Sequence, residues 1–411
     1  DITSDIFGVL TTPATAAMLH LEGVCMKLCV AALGAGVLLL AVTSVSLGAA
    51  EPSASATWDV AAAQYLDARM DDWWANAKVL NTGDAQTRCI SCHTAVPYAL
   101  ARPALRRTAG QTQPTPHEAR IAATVKQRVE SSAIRQPFYD NSEDKQRESR
   151  GVESVLNALV LAVRDANEGR DSPRAETTAA LAQMWSVQRA DGSWDWLNFG
   201  LEPYEAPDAV FHGAALAAVA AGTASHPGAS SMNTAGNARE RLRAYLTSNV
   251  ASQRLFNQAW ALLAAARLDG ALSVGQRDDV IRALKNPQRA DGGWSMSELG
   301  AWHWDKSAAP FAPPGTPDAA LLSASDGYAT GLVLYALRQS NVPANDTVIV
   351  KGRAWLTSHQ QAGRTGDPTR APWRAHSLNH DREHGGPRGE PWRRMFMSDL
   401  ATAFAVLGLS D

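Results

Sequence analysis

Five segments of this chain, at 155–161, 212–219, 259–265, 330–337 and 402–407, are apolar nearly all the way round. A helix without a polar face has to be buried on every side, so the remaining chain has to coat these five. Segments 117–130, 238–249 and 276–286 are amphipathic and charged, as a solvated outer layer requires. Joining each outer helix to the inner helix after it gives six hairpins: 60–76 with 92–105, 117–130 with 151–164, 175–188 with 208–221, 238–249 with 256–268, 276–286 with 326–338, and 347–360 with 398–409. Spread over residues 51–411, that is about 60 residues per hairpin, a workable length for two helices and their loops. The pattern predicts an all-α chain, an (α/α)6 toroid of helical hairpins forming a single domain over 51–411. Hydrophobic residues make up 45% of the chain, ample for such a core.

The segment before that domain reads differently. From Met26 the chain carries one lysine, an apolar run and then small residues up to Ala49 and Ala50. That is the layout of a secretory signal peptide over 26–50, with cleavage near Ala49 or Ala50. An uncleaved membrane anchor is the alternative, although the run from Leu28 to Val42 is short for a span. Residues 1–25 precede a plausible start methionine and look like an upstream, non-native segment. The expected location is periplasmic or secreted. Of the four cysteines, Cys25 and Cys29 would be lost on export, leaving Cys89 and Cys92.

Those two open the run Cys89-Ile90-Ser91-Cys92-His93. Cys-x-x-Cys-His is the attachment sequence of a c-type haem. Two thiols add across the two vinyl groups of one porphyrin, and the next residue offers an imidazole to the iron as proximal ligand. Cys89, Cys92 and His93 are therefore expected to hold one covalent haem c. A thioredoxin-like pair would need a βαβ setting. Zinc would need two further ligands, and a disulfide across two residues would leave His93 without a role.

A repeat supports the hairpin reading. Gln188-Arg189-Ala190-Asp191-Gly192-Ser193-Trp194 recurs as Gln288-Arg289-Ala290-Asp291-Gly292-Gly293-Trp294, and a degenerate third copy follows Leu356 at Gln360 and Gly363, without a nearby Trp. These copies resemble the QW repeats of the squalene–hopene cyclase and prenyltransferase-like superfamily, over roughly residues 150–409. The phrases Asp326-Gly-Tyr-Ala-Thr-Gly and Asp399-Leu-Ala-Thr-Ala are similar to that family too. The resemblance implies a toroid in which Gln188, Trp194, Gln288 and Trp294 are architectural. Chemistry does not carry over. The Asp-x-Asp-Asp acid of the hopene cyclases has no counterpart, and Asp67, Asp71 and Asp72 are wrongly spaced on an outer helix. A cyclase activity would rest on fold alone.

In the hairpin register Cys92-His93-Thr94-Ala95 falls where His212-Gly213, Thr330-Gly331 and Thr402-Ala403 fall, at the starts of inner helices. The haem is accordingly expected at the lumen mouth, where the family's terpenoid would sit. Met397, just before the sixth inner helix, and His212, opening the third, are the candidate distal iron ligands. Met395 and the loop histidines His303, His376, His380 and His384 are further options, as is an open position. Two inserts, 293–325 and 363–397, precede inner helices and point to the same mouth. The second carries Arg364, Arg370, Arg374, Arg382, Arg388, Arg393 and Arg394, which suit haem propionates or an acidic redox partner.

With net charge −3 and 19% charged residues, the composition offers no attraction for nucleic acid. The reading is an exported monohaem protein that transfers electrons to a redox partner protein or acts on a small molecule. The alternative is a cyclase-like terpenoid-processing enzyme or lipid binder, with an apolar ligand in the lumen.

Overall fold

A computed structural model describes residues 57–82, 85–132, 136–225, 236–302, 323–361, 370–379 and 391–410. The expected signal segment, His303, His380, His384, Arg364, Arg382 and Arg388 lie outside the described residues. The described part falls within one compact unit, Ala54–Asp411. It is built almost wholly of helix: α1 (Trp58–Asn76), α2 (Ala95–Thr108), α3 (Pro116–Glu130), α4 (Glu143–Asn167), α5 (Ala175–Ser186), α6 (Ala209–Thr223), α7 (Gly236–Asn249), α8 (Leu255–Ala265), α9 (Val274–Lys285), α10 (Gly327–Gln339), α11 (Thr347–Ser358) and α12 (Phe396–Leu409). Among the described residues no helix is long and apolar enough to cross a membrane.

The even-numbered helices are the more deeply buried ones. In α6 and α12 nearly every residue is buried, whereas α3 and α9 bury only Ile121, Val125, Arg128 and Val129, and Val280 and Leu284. The six even helices touch one another in a closed cycle, α2–α4–α6–α8–α10–α12 and back to α2. Each odd helix packs on at least one member of that cycle. All twelve helices fall on the segments read as six hairpins. The largest departure is at the start of α4, which begins eight residues earlier than expected, at Glu143 behind the N-cap Ser142; α2 begins three residues later than expected. Polar side chains satisfy the first free amides of several helices. Thr115 and Ser273 form capping boxes with Glu118 and Gln276, while Asp326 and Asp346 cap α10 and α11.

The repeat is a helix-end clasp. Trp194 and Trp294 are fully buried and donate from Nε1 to Met184 O and Leu284 O, each at 2.8 Å. Gln188 Nε2 donates to Gly192 O at 3.1 Å and to Ala238 O at 3.0 Å. Gln288 Nε2 likewise reaches Gly292 O and Val348 O, both at 2.9 Å. Each amide thus ties its own turn to the start of the next outer helix. Gly192 and Gly292 sit at φ +97° and +93°, where an L side chain is strained. A Cβ there would stand 2.3 Å from Arg241 O or 2.8 Å from Lys351 O. The third copy does have its tryptophan. Trp373 Nε1 donates to Leu356 O at 2.8 Å, the same bond made across seventeen residues rather than ten. The longer intervening loop hides this match from any fixed-spacing comparison.

One element has no counterpart in the helical reading. Val79–Thr82 and Ala85–Arg88 form a two-stranded antiparallel hairpin, β1–β2, between α1 and α2. Its second strand delivers the chain directly into Cys89.

Candidate functional site

Cys89 is held against α1 by its backbone: Trp73 Nε1 donates to Cys89 O at 3.0 Å, and Arg88 Nε donates to Trp74 O at 2.7 Å. Cys92 and His93 lie in the turn that starts α2. Ser91, between the cysteines, accepts at Oγ from both Thr94 N and Ala95 N at 3.1 Å, and so caps the helix from inside the motif. Both cysteines are free, half-buried thiols. Burial pushes Cys89 up to about 12, with Glu153 adding to the effect, and it raises Cys92 well above the ordinary thiol range. Both are therefore protonated at neutral pH, the reverse of the depressed thiol that dithiol exchange uses.

The His93 ring stacks on Phe396 at 3.6 Å between centroids, 19° from parallel, and meets Trp73 edge-on at 5.4 Å. Its Nδ1 lies 3.0 Å from Thr94 Oγ1. That hydroxyl has a single proton, which it donates to Asp399 Oδ2 at 2.7 Å. Thr94 therefore accepts from His93, placing the ring proton on Nδ1 and the lone pair on Nε2. Asp399 is 1% exposed and also accepts from Tyr65 OH and Arg69 Nε at 2.7 Å on Oδ1, and from Arg69 Nη2 at 3.1 Å on Oδ2. Burial pushes the Asp399 carboxyl above its ordinary range, against the pull of Arg69. Two donors on each oxygen leave no place for a proton, so the group is the carboxylate of a buried ion pair with Arg69.

Two cavities flank the motif. Cys89 lines one of about 30 Å³ with Arg128, Tyr139, Glu153, Leu156 and Asn157. Cys92 lines the other, about 10 Å³, with Val96, Leu156, Tyr204, His212, Trp260 and Phe404. The first is polar at its rim, where buried Arg128 is paired with Glu153 through Nε at 2.7 Å and Nη2 at 2.8 Å. The second is almost wholly apolar.

His212, on the first turn of α6, is 1% exposed and surrounded by the rings of Trp196, Tyr204, Phe256 and Trp260 at 4.8 to 6.2 Å. Its Nδ1 is buried without a hydrogen-bond partner. Burial alone drops its pKa to about 3, so the ring is neutral. A neutral imidazole with an unsatisfied nitrogen in a cavity shared with Cys92 has the chemistry of an axial ligand. Met395 and Met397 flank Phe396, half-buried against the core, and Met397 does not line the Cys92 cavity. The structure thus brings Cys92 and His212 to one cavity, while Cys89 lines the other and His93 packs on Phe396 and Trp73. Of the Arg-rich insert, Arg393 lies over the Trp392 ring at 5.1 Å.

Thr94, Asp399, Tyr65 and Arg69 carry the second layer of this site, and motif spacing names none of them. Asp399 stood out only as part of an inner-helix phrase; its three partners come from 305 to 334 residues away in the chain. No protein-family model matches this sequence, and no curated protein matches it.

Proposed function

We propose that this chain is an exported monohaem c-type cytochrome-like protein, with one haem bound through Cys89, Cys92 and His93 at the mouth of an (α/α)6 toroid. The observation that carries the reading is the Cys-x-x-Cys-His run, its histidine held in the Nε2-accepting tautomer that metal ligation needs. The donor set fits: two protonated thiols for thioether formation, one anchored imidazole, and an orphaned imidazole nitrogen in the cavity that Cys92 lines. The closed cycle of even helices, each with an odd helix outside it, supports the toroid.

A haem held here supplies one-electron iron chemistry. Cys89 and Cys92 would hold it by thioethers, Trp73, Trp260, Phe396 and Phe404 would exclude water, and Thr94 would orient His93. His212 is favoured over Met397 as second axial ligand, because it alone of the two shares a cavity with the motif. Two imidazoles would hold the potential lower than a His–Met pair, suiting electron transfer to a redox partner. Export, with signal segment 26–50, belongs to the same proposal, since haem attachment of this kind occurs outside the cytoplasm.

Terpenoid processing is the weaker alternative. It needs a carboxylic acid able to give up a proton to a polyene. The buried inner-helix carboxylates here are engaged otherwise: Glu153 by Arg128, Asp165 by Arg164 and Thr177, Asp399 by Arg69, Tyr65 and Thr94, and Asp326 by the amides of Met296, Tyr328 and Ala329.

Co-expression with a haem-attachment system tests the proposal. The purified protein should gain the mass of one haem and show the sharp visible bands of low-spin c-haem on reduction, and Cys92→Ala should reduce covalent haem severely. A wild-type protein that matures with its apo mass would overturn it.

A further inference from the structure

The hydroxyl of Thr94 stands at the N-cap of α2 but makes no cap bond. Ser91 Oγ accepts from the amides of Thr94 and Ala95, Ser91 O accepts from Val96 N at 3.0 Å, and Pro97 has no N–H, so no amide of the first turn is left for Thr94 to cap. In the two inner helices whose threonine the sequence pattern aligns with Thr94, the residue lies inside the helix rather than at its cap and the hydroxyl braces the repeat tryptophan's backbone: Thr330 Oγ1 accepts from Trp294 N at 2.9 Å, and Thr402 Oγ1 donates to Trp373 O at 3.4 Å. No repeat tryptophan precedes Thr94 in the chain. Its hydroxyl is released to a different pair of partners, His93 on one side and Asp399 on the other.

We propose that Thr94 and Asp399 form a positioning relay for His93: the imidazole Nδ1–H donates to Thr94 Oγ1, which donates to the Asp399 carboxylate. The relay extends the haem reading above and rests on it. A carboxylate behind the acceptor strengthens the pull on the Nδ1 proton and makes Nε2 a more electron-rich ligand. An electron-rich axial ligand favours the oxidised metal, so the relay lowers the reduction potential. It also fixes the ring plane, which Phe396 and Trp73 already restrict from two sides.

The carboxylate is itself held from the far end of the chain. Arg69 of α1 spans Asp399, Asp72 and the Trp392 carbonyl, with Nη1–Oδ2 of Asp72 at 2.7 Å and Nη2–O of Trp392 at 2.6 Å. Asp399 belongs to α12, which closes the cycle against α2. Proximal-ligand strength is thereby tied to the docking of the last helix on the first two.

The test uses the haem-loaded protein and its midpoint potential by spectroelectrochemistry. Thr94→Val removes the acceptor and keeps the volume. It should raise the potential, shifting the reduction equilibrium about tenfold, or ~59 mV for one electron. Thr94→Ser should restore the wild-type value. Tyr65→Phe withdraws a donor from Asp399 Oδ1, leaves Thr94 and Arg69 in place, and should shift the potential the opposite way, downward. Opposite signs are a signature that general loosening of the site does not produce, and Tyr65→Phe reads the relay even if Thr94→Val fails to accumulate. Thr94→Val at the wild-type potential, or both variants moving the same way, overturns the relay while the haem assignment stands. Wild-type protein without covalent haem overturns both.

Discussion

His212 occupies the register at which α10 and α12 carry Thr330 and Thr402. Those hydroxyls brace the backbone of a repeat tryptophan, whereas the His212 Nδ1 finds no partner. An unsatisfied buried polar atom costs about 1–3 kcal/mol, and a fold has no architectural reason to keep one beside Cys92. The expected outcome for His212→Ala is conversion of the low-spin c-haem spectrum to a high-spin one with covalent haem retained, while Met397→Leu leaves the low-spin bands in place. A low-spin spectrum that survives His212→Ala and is lost with Met397 would reverse the axial assignment. The residue types at these positions were legible in the sequence; which of the two candidates faces the motif was not, because both lie at helix starts and only packing separates them.

At the scale of elements, the clasp at each helix end combines local and distant requirements. Gly192 needs its positive φ for the turn that returns Ser193 O to Arg189 N at 2.8 Å. It needs the missing Cβ because α7 passes within 2.3 Å of that position. Gly110, at φ +68° with nothing within 4 Å of a built Cβ, has the first requirement without the second. Gly110→Ala should therefore cost about 1–2 kcal/mol, the penalty of left-handed backbone. Gly192→Ala should cost roughly twice that, since backbone must move as well. Urea unfolding monitored by circular dichroism separates the two, and equal losses would mean the approach of α7 relaxes freely. The repeat itself was readable because its tryptophan follows the helix-end carbonyl it bonds by ten residues in two copies. The third copy was not, because Trp373 reaches Leu356 across a longer loop. The hairpin β1–β2 escaped for another reason: four-residue strands carry too little periodicity to stand out beside long helices.

For the whole molecule, stability depends on carboxylates buried where helices meet. Asp326 caps α10 from Oδ1 and accepts Met296 N on Oδ2 at 2.6 Å. Burial raises its pKa from 3.8 to about 6, although the three amides and His376 pull the other way. The folded chain thus holds a proton between about pH 4 and 6 that the unfolded chain releases, and stability falls as pH rises through that window. The loss amounts to on the order of 2 to 3 kcal/mol at about 1.4 per pH unit. Asp326→Asn keeps the cap and gives up the Met296 bond, so its baseline should be lower but its stability should lack this slope. Parallel pH profiles for the two proteins would place the titration elsewhere.

The alternation of all-apolar with amphipathic segments was enough to determine a mostly helical chain, its twelve helical segments and which of them are the more buried, because burial of a helix face is written in local periodicity. The Cys-x-x-Cys-His run was equally plain, because its residues lie at a fixed short spacing. Only the tertiary structure brought α12 against α1 and α2, placing Asp399 behind Thr94 and His93 and setting His212 across a cavity from Cys92. Those contacts join residues more than a hundred positions apart, and which distant side chains meet is decided by the packing of whole helices.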